Sequence, residues 1–214
     1  MPRRPTAHRT DTYHHGDLRR ALLDNAVELA RAGGPDAVVM RDVQRRAGVS
    51  NAAAYRHYAD RDELLAGVIA YALERLAATM HEAVDAVPAR GNRERRALAR
   101  FRATGQAYVD FALAEPGLFR TAFAAHPASR KAVEAAEDAA GEEHPFHLLR
   151  RCVDDLVATG VISPRRRAGL DEAAWAAVHG LATLYLDGAL SGLGTAEKQQ
   201  ITGRLLDAFE RGVG

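Results

Sequence analysis

The stretch Arg41-Asp-Val-Gln-Arg-Arg-Ala-Gly-Val-Ser-Asn-Ala-Ala-Ala-Tyr-Arg-His-Tyr58 holds two short helical segments separated by Gly48-Val49-Ser50. The first runs from about Met40 to Ala47 with Val43 and Ala47 inward; the second starts at Asn51, reaches about His57 and has Ser50 as its N-cap. Two helices of about seven residues each, joined by so short a turn, predict a helix-turn-helix. Gly48 supplies the backbone freedom of the turn, since positive φ is cheap only for glycine. Val43, Ala47 and Val49 close the joint, and the small Ala47 lets the helices approach. In such a unit the second helix lies in the major groove, its N-terminal residues toward the base edges. Many helical hairpins share the bare pattern, so the flanking sequence decides.

Upstream, Asp17 is the expected N-cap of a helix on which Leu18, Leu22, Ala26 and Leu29 share a face, ended by Gly33-Gly34-Pro35. Residues 1–12, rich in Pro, Arg, Thr and His, read as a flexible basic arm. Downstream, Asp60 and Glu63 form a capping-box-like pair opening a long helix. Leu64, Leu65, Val68, Ile69, Ala72 and Leu76 are its stripe, and Pro88 its limit. Further helices are expected at 93–114, around Leu118 to Phe123, loosely over 127–144, from Pro145 to Thr159, and over about 170–190 and 196–211. No internal repeat is present. The fold class is all-α, with about nine helices.

Composition agrees. Of 214 residues 47% are apolar and only 6% aromatic, with Ala, Leu and Arg prominent and β-branched runs scarce. Cys152 is the only cysteine, which excludes an intramolecular disulfide and fits a reducing compartment. No apolar run follows the basic N-terminus and none approaches the length of a membrane span, so a cytoplasmic protein without membrane association is expected. The net charge of +1 is unevenly placed: 11 Lys/Arg against 7 Asp/Glu through Arg61, and 18 against 21 beyond it. A basic first third on a mildly acidic body suggests that one end meets a polyanion.

The quoted stretch, continued by Ala59-Asp-Arg-Asp-Glu-Leu-Leu65, closely resembles the signature of the TetR family of transcriptional regulators, and the resemblance covers residues 13–76. It implies a helix-turn-helix DNA-binding domain over 13–60 and a ligand-binding and dimerisation domain over 61–214. It also implies a homodimer on a pseudo-palindromic double-stranded operator, released by a small-molecule effector. Repression is the expected outcome; activation stays open, because the sign depends on operator position. No enzyme activity and no cofactor are expected. In the family, residues matching Tyr55 and His57 hydrogen-bond phosphate, the basic residue at Arg61 often does too, and Arg41 matches a position that reaches bases or phosphate. Ala53 departs from the usual Ser or Thr and lacks its hydroxyl. Val39 likewise stands where a capping Ser or Thr is common. Asn51, Ala52, Ala53 and Arg56 are left to face the groove; Asn favours adenine, Arg guanine, and Ala a thymine methyl. Tyr58 reads as a core aromatic, while Arg45 and Arg46 fit a solvated face as well as a DNA contact.

Tyr13-His14-His15-Gly16-Asp17 resembles the lead-in of one TetR subgroup, whose C-terminal domain is named for a Trp-His-Gly signature; Trp175, His179 and Gly180 look like that signature. Trp175 and His179 lie four apart on one helix face. They suit either a ligand cavity or a core pair beside a glycine needed for close packing. Phe101, Tyr108, Phe111, Phe119, Phe123 and Phe146 join them as candidates for an apolar pocket. No Lys or Arg recurs on those stripes, so a neutral or hydrophobic effector is expected; plain core packing explains the same aromatics. The last two helices carry surplus apolar residues (Leu181, Leu184, Leu186, Leu190, Ile201, Leu205, Leu206, Phe209), as a four-helix bundle with a symmetry mate over about 170–211 would need. His144 and His147, near Glu142, Glu143 and Cys152, define no tetrahedral set, so no metal is expected. A helical enzyme or carrier would need convergent titratable groups around the cavity, and an architectural DNA binder would have a filled C-terminal core.

Overall fold

The computed structural model describes residues 15–124 and 144–213. It contains nine α-helices and no strand among the described residues. Helix α1, His15–Gly33, already includes Asp17 in its first turn, so the aspartate is not the N-cap. A leucine spacing that begins at Leu18 could not register a first turn of polar residues. The helix stops where expected: the Gly34 N–H donates to Ala30 O at 2.7 Å with φ +72°.

Helix α2, Met40–Ala47, begins at Val39 without a side-chain cap. Helix α3, Asn51–Tyr55, is capped by Ser50 Oγ, which accepts from the Ala53 N–H at 3.2 Å. It is shorter than the sequence suggested, because the N–H groups of both His57 and Tyr58 turn back to Ala54 O, at 2.9 and 3.1 Å. Helix α4, Arg61–Asp85, opens on a split capping box. Asp60 Oδ1 accepts from the Glu63 N–H at 2.8 Å, while Glu63 Oε2 accepts from the N–H of Ala59 at 2.7 Å.

Then come α5 (Arg93–Ala114), α6 (Pro116–Ala122), α7 (Pro145–Ala158), α8 (Leu170–Leu186) and α9 (Thr195–Val213). Asn92 caps α5 through its Oδ1, and Pro116 sits at the start of α6, where a missing N–H costs nothing. Helix α8 ends before the expected residue 190, because the Leu190 N–H returns to Leu184 O at 3.2 Å. The helix expected over 127–144 lies, except for His144, outside the described residues.

At 25 residues and about 1.5 Å per residue, α4 is about 37 Å long and joins the two ends of the molecule. Its first turns bury Leu64, Leu65 and Val68 with Leu22 of α1 and Tyr58; further along, Leu76 and Met80 join Phe101, Val109, Leu148 and Leu156. Cys152 of α7 is buried in this core, and burial pushes its thiol up to about 11. On the far side, Arg102 of α5 holds Asp207 and Glu210 of α9 at 2.7 and 3.3 Å. No helix among the described residues is long and apolar enough to cross a membrane.

Candidate DNA interface and candidate effector site

The helix-turn-helix is built on burial of one face of α3. Ala54 is fully buried and Tyr58 nearly so, which forces Asn51, Ala52, Tyr55 and Arg56 outward, all exposed, with Ala53 and His57 at the margin. Tyr58 is the expected core aromatic. Its hydroxyl donates to Arg19 O at 3.3 Å, and the Arg19 guanidinium stacks 4.5 Å from its ring centroid. Arg19 also donates to His57 O at 2.7 Å, tying the end of the recognition segment to α1. The turn depends on Gly48 (φ +68°), whose added Cβ would meet no atom; backbone conformation, not space, demands the glycine. Arg41, Arg45 and Arg46 are exposed on α2, and Arg45 pairs with Asp42 at 3.0 Å.

Two placements refine the sequence reading. Arg61, expected on phosphate, donates from Nε to Val38 O at 2.8 Å and from Nη2 to Pro35 O at 2.7 Å. The first turn of α4 abuts the connection before α2, where the guanidinium bonds Val38 O and shares Pro35 O with the Val38 N–H. Gln44, which the sequence reading passed over, is buried on α2 and donates from Nε2 to Asn51 Oδ1 at 3.0 Å. A glutamine at an inward position between Val43 and Ala47 was the available signal. Its hydrogen bond fixes the Asn51 carboxamide so that the NH₂ end is left for another partner.

In the C-terminal half, six of the eight candidate residues converge. Tyr108 of α5 is the hub: its ring packs edge-on against Phe119 of α6 at 5.6 Å, with Phe123 at 6.1 Å and His179 of α8 at 6.2 Å. Trp175 closes the ring set at 6.3 Å from Phe123 and 5.4 Å from Phe146. The Tyr108 hydroxyl lies 2.8 Å from His179 Nδ1 and accepts from Trp175 Nε1 at 3.2 Å. Burial pushes the Tyr108 hydroxyl up and the His179 imidazole down from their ordinary values, so both are uncharged near neutrality. Phe101 and Phe111 are buried on α5, but no ring contact joins them to this cluster among the described residues. They belong to the packed core. His144 caps α7, its Nδ1 accepting from the Phe146 N–H at 3.3 Å, and no metal-holding group of His, Cys, Asp or Glu is found among the described residues. Glu142 and Glu143 lie outside them.

The N-terminal family model for bacterial regulatory proteins of the tetR family matches residues 22–68, and the one described as "Tetracyclin repressor-like, C-terminal domain" matches residues 101–209. This chain belongs to the TetR family. It is a transcriptional regulator with a DNA-binding helix-turn-helix. A protein with unknown function from Rhodococcus sp. RHA1 is 34% identical over 94% of this chain and 98% of its own, with a TM-score of 0.74. The TetR family transcriptional regulator PfmR from Thermus thermophilus shares the fold at 19% identity, covering 89% of this chain and 97% of its own, TM-score 0.60. A TetR family transcription regulator from Marinobacter aquaeolei does so at 20%, covering 89% and 94%, TM-score 0.58. A comparison with curated proteins finds no match.

Two further features of this TetR chain bear on its working. An open apolar groove of about 510 Å³ runs between α8 and α9, lined by Ala177, Gly180, Leu181, Leu184, Ile201 and Leu205. Gly180 faces this groove, and an added Cβ there would meet nothing within the subunit. Close packing inside the chain therefore does not account for it. The second feature is α6. A Cβ on Gly117 would come within 2.3 Å of both Ala30 O and Arg31 O, so the last turn of α1 rests directly on α6. Arg31 binds Glu115 at 2.8 Å, and at the other end Arg120 grips Asp187 beyond α8 at 2.7 Å.

Proposed function

We propose that this regulator is a ligand-responsive repressor that binds a pseudo-palindromic operator as a homodimer and is released by a neutral or hydrophobic small molecule. The observation that carries the reading is the outward face of α3: Asn51, Ala52, Tyr55 and Arg56 stand exposed on a helix whose other face is locked by Ala54 and Tyr58. Asn51 and Arg56 read base edges. Tyr55, His57 and Arg41 hold phosphate and set the register. Residues 13–60 form the reading unit, 1–12 a basic arm beside it, and 61–214 the sensing and dimerising part of a cytoplasmic protein.

The groove on α8 and α9 supports a dimer through these two helices, because pairing with a symmetry mate covers Leu184, Leu205 and Gly180 together. Two recognition helices are then presented about 34–36 Å apart, one turn of DNA. The aromatic cluster supports the sensing role. We read Trp175-Ala-Ala-Val-His179-Gly180 as the Trp-His-Gly subgroup's signature, since two of its three residues form the cluster and the third lines the groove. Coupling follows α6, which carries Phe119 in the cluster and Gly117 against α1. A ligand favouring one placement of α6 shifts the population of DNA-competent dimers, with a coupling of typically about 1–3 kcal/mol.

The test is selection of binding sites from a random duplex library, followed by footprinting. Recovery of an inverted repeat with half-sites about 10 bp apart supports the reading. Recovery of no preferred sequence would sink it.

A further inference from the structure

Tyr108 has one hydroxyl proton and two polar neighbours, Trp175 Nε1 at 3.2 Å and His179 Nδ1 at 2.8 Å. An indole N–H only donates, so the tyrosine oxygen accepts from Trp175. Its own proton has His179 Nδ1 as the acceptor at hand, an arrangement that satisfies all three groups when Nδ1 carries no hydrogen. A neutral imidazole with a bare Nδ1 keeps its proton on Nε2. That nitrogen has no protein hydrogen-bond partner among the described residues, and the residue is half-buried, not sealed. Around it stand Phe123, with ring centroids 4.9 Å apart, and Phe119 at 5.5 Å. The chain Trp175 to Tyr108 to His179 thus delivers a single oriented N–H donor into a wall of aromatic rings.

Because the residue is not sealed, an incoming acceptor can reach this nitrogen, and a matched pair there is worth one net hydrogen bond. We propose that His179 Nε2–H is the recognition donor for the effector, and that the effector is a ring-bearing lipophilic compound with an uncharged carbonyl oxygen, of ketone or ester type. This rests on reading the aromatic cluster as the effector site. The rings favour a flat apolar body. A cationic ammonium group would meet N–H with N–H. An anion gains little, because the Arg150 guanidinium 5.2 Å over Phe146 is already matched by Asp171 at 3.6 Å.

The test uses two near-isosteric probes, 2-acetylnaphthalene and 2-isopropylnaphthalene, in equilibrium dialysis against the full-length protein. The ketone should bind about three- to tenfold tighter, the range one net hydrogen bond supplies, and the preference should vanish in His179→Phe. Should that variant fail to fold, nitrogen-15 spectra of the histidine rings decide instead. They should show His179 protonated on Nε2 alone in the native protein and in a mixture of tautomers in Tyr108→Phe. Equal binding of the two probes, a preference that survives in His179→Phe, or a proton on Nδ1 overturns the proposal. Failure of both probes to bind overturns it together with the effector-site reading. Measured beside operator release the two readings separate. A ketone preference without release leaves the donor assignment standing and removes the sensing role; equal release by both probes does the reverse.

Discussion

At position 51 the side chain proposed to read DNA is itself held by a buried neighbour, Gln44, and this division of labour can be measured. Asn51→Ala or Arg56→Ala should relax preference at particular base pairs by about 1–3 kcal/mol if the contacts are bidentate, whereas Tyr55→Phe should weaken all sites about equally. Gel-shift titrations over an operator library distinguish the two patterns. Gln44→Met should resemble Asn51→Ala in kind but be milder, since it removes only the hydrogen bond that orients the carboxamide. Which residues of α3 stand exposed was legible in the sequence, because they follow from which ones must be buried. Gln44 and Arg61 were not, since both act by reaching across to another segment, and helical spacing records only one segment at a time. Asp171 offers a pH test at the same scale. Burial alone would raise its carboxyl, but hydrogen bonding with Glu172 and Arg167, and the charge of Arg167, hold it at about 2 instead of the ordinary 3.8. Its stabilisation is complete above about pH 4 and lost as the pH falls toward 2, an effect of up to about 2 kcal/mol. In Asp171→Asn, acid melts should lose that part of their slope; an unchanged acid limb would show that other carboxylates govern it.

Among the elements, α6 has the least room to change. It is only seven residues long, yet it touches α1 through Gly117, the aromatic cluster through Phe119, and the end of α8 through Arg120. Gly117→Ala places a methyl against two backbone carbonyls that cannot move aside, so the cost should lie near the upper end of overpacking, about 3 kcal/mol. A melt should drop by roughly 6–12 °C in a protein of this size. Gly48→Ala has open space and pays only for its left-handed backbone, about 1–2 kcal/mol. Equal losses in the two variants would contradict this picture. Helix termini were read well wherever a side chain caps them, as at Ser50, Asp60 and Asn92. They were read poorly at α8, whose end is set by a backbone return to Leu184 O that leaves no mark in composition.

For the molecule as a whole, the surplus of leucines in the last two helices was visible from the start, but not which of them look outward. Leu186 is half-buried against the core, whereas Leu184 is 43% exposed and shares the groove with Leu205. Leu184→Glu with Leu205→Glu should therefore give a folded monomer by light scattering with helical circular dichroism intact. An unchanged dimer would place the interface elsewhere. The solitary thiol of Cys152 has a different kind of consequence. Buried, and with about one molecule in a thousand ionised at pH 8, it should be nearly inert to alkylating dyes until α7 swings open. Its labelling rate is thus a built-in clock for rare openings of the C-terminal half, expected to slow when an effector or operator is bound. The same silence gives a clean background for spectroscopy. One cysteine installed at an exposed position such as Ala52 would take a dye alone, and the distance between two dyes in a dimer would report how far apart the reading heads stand.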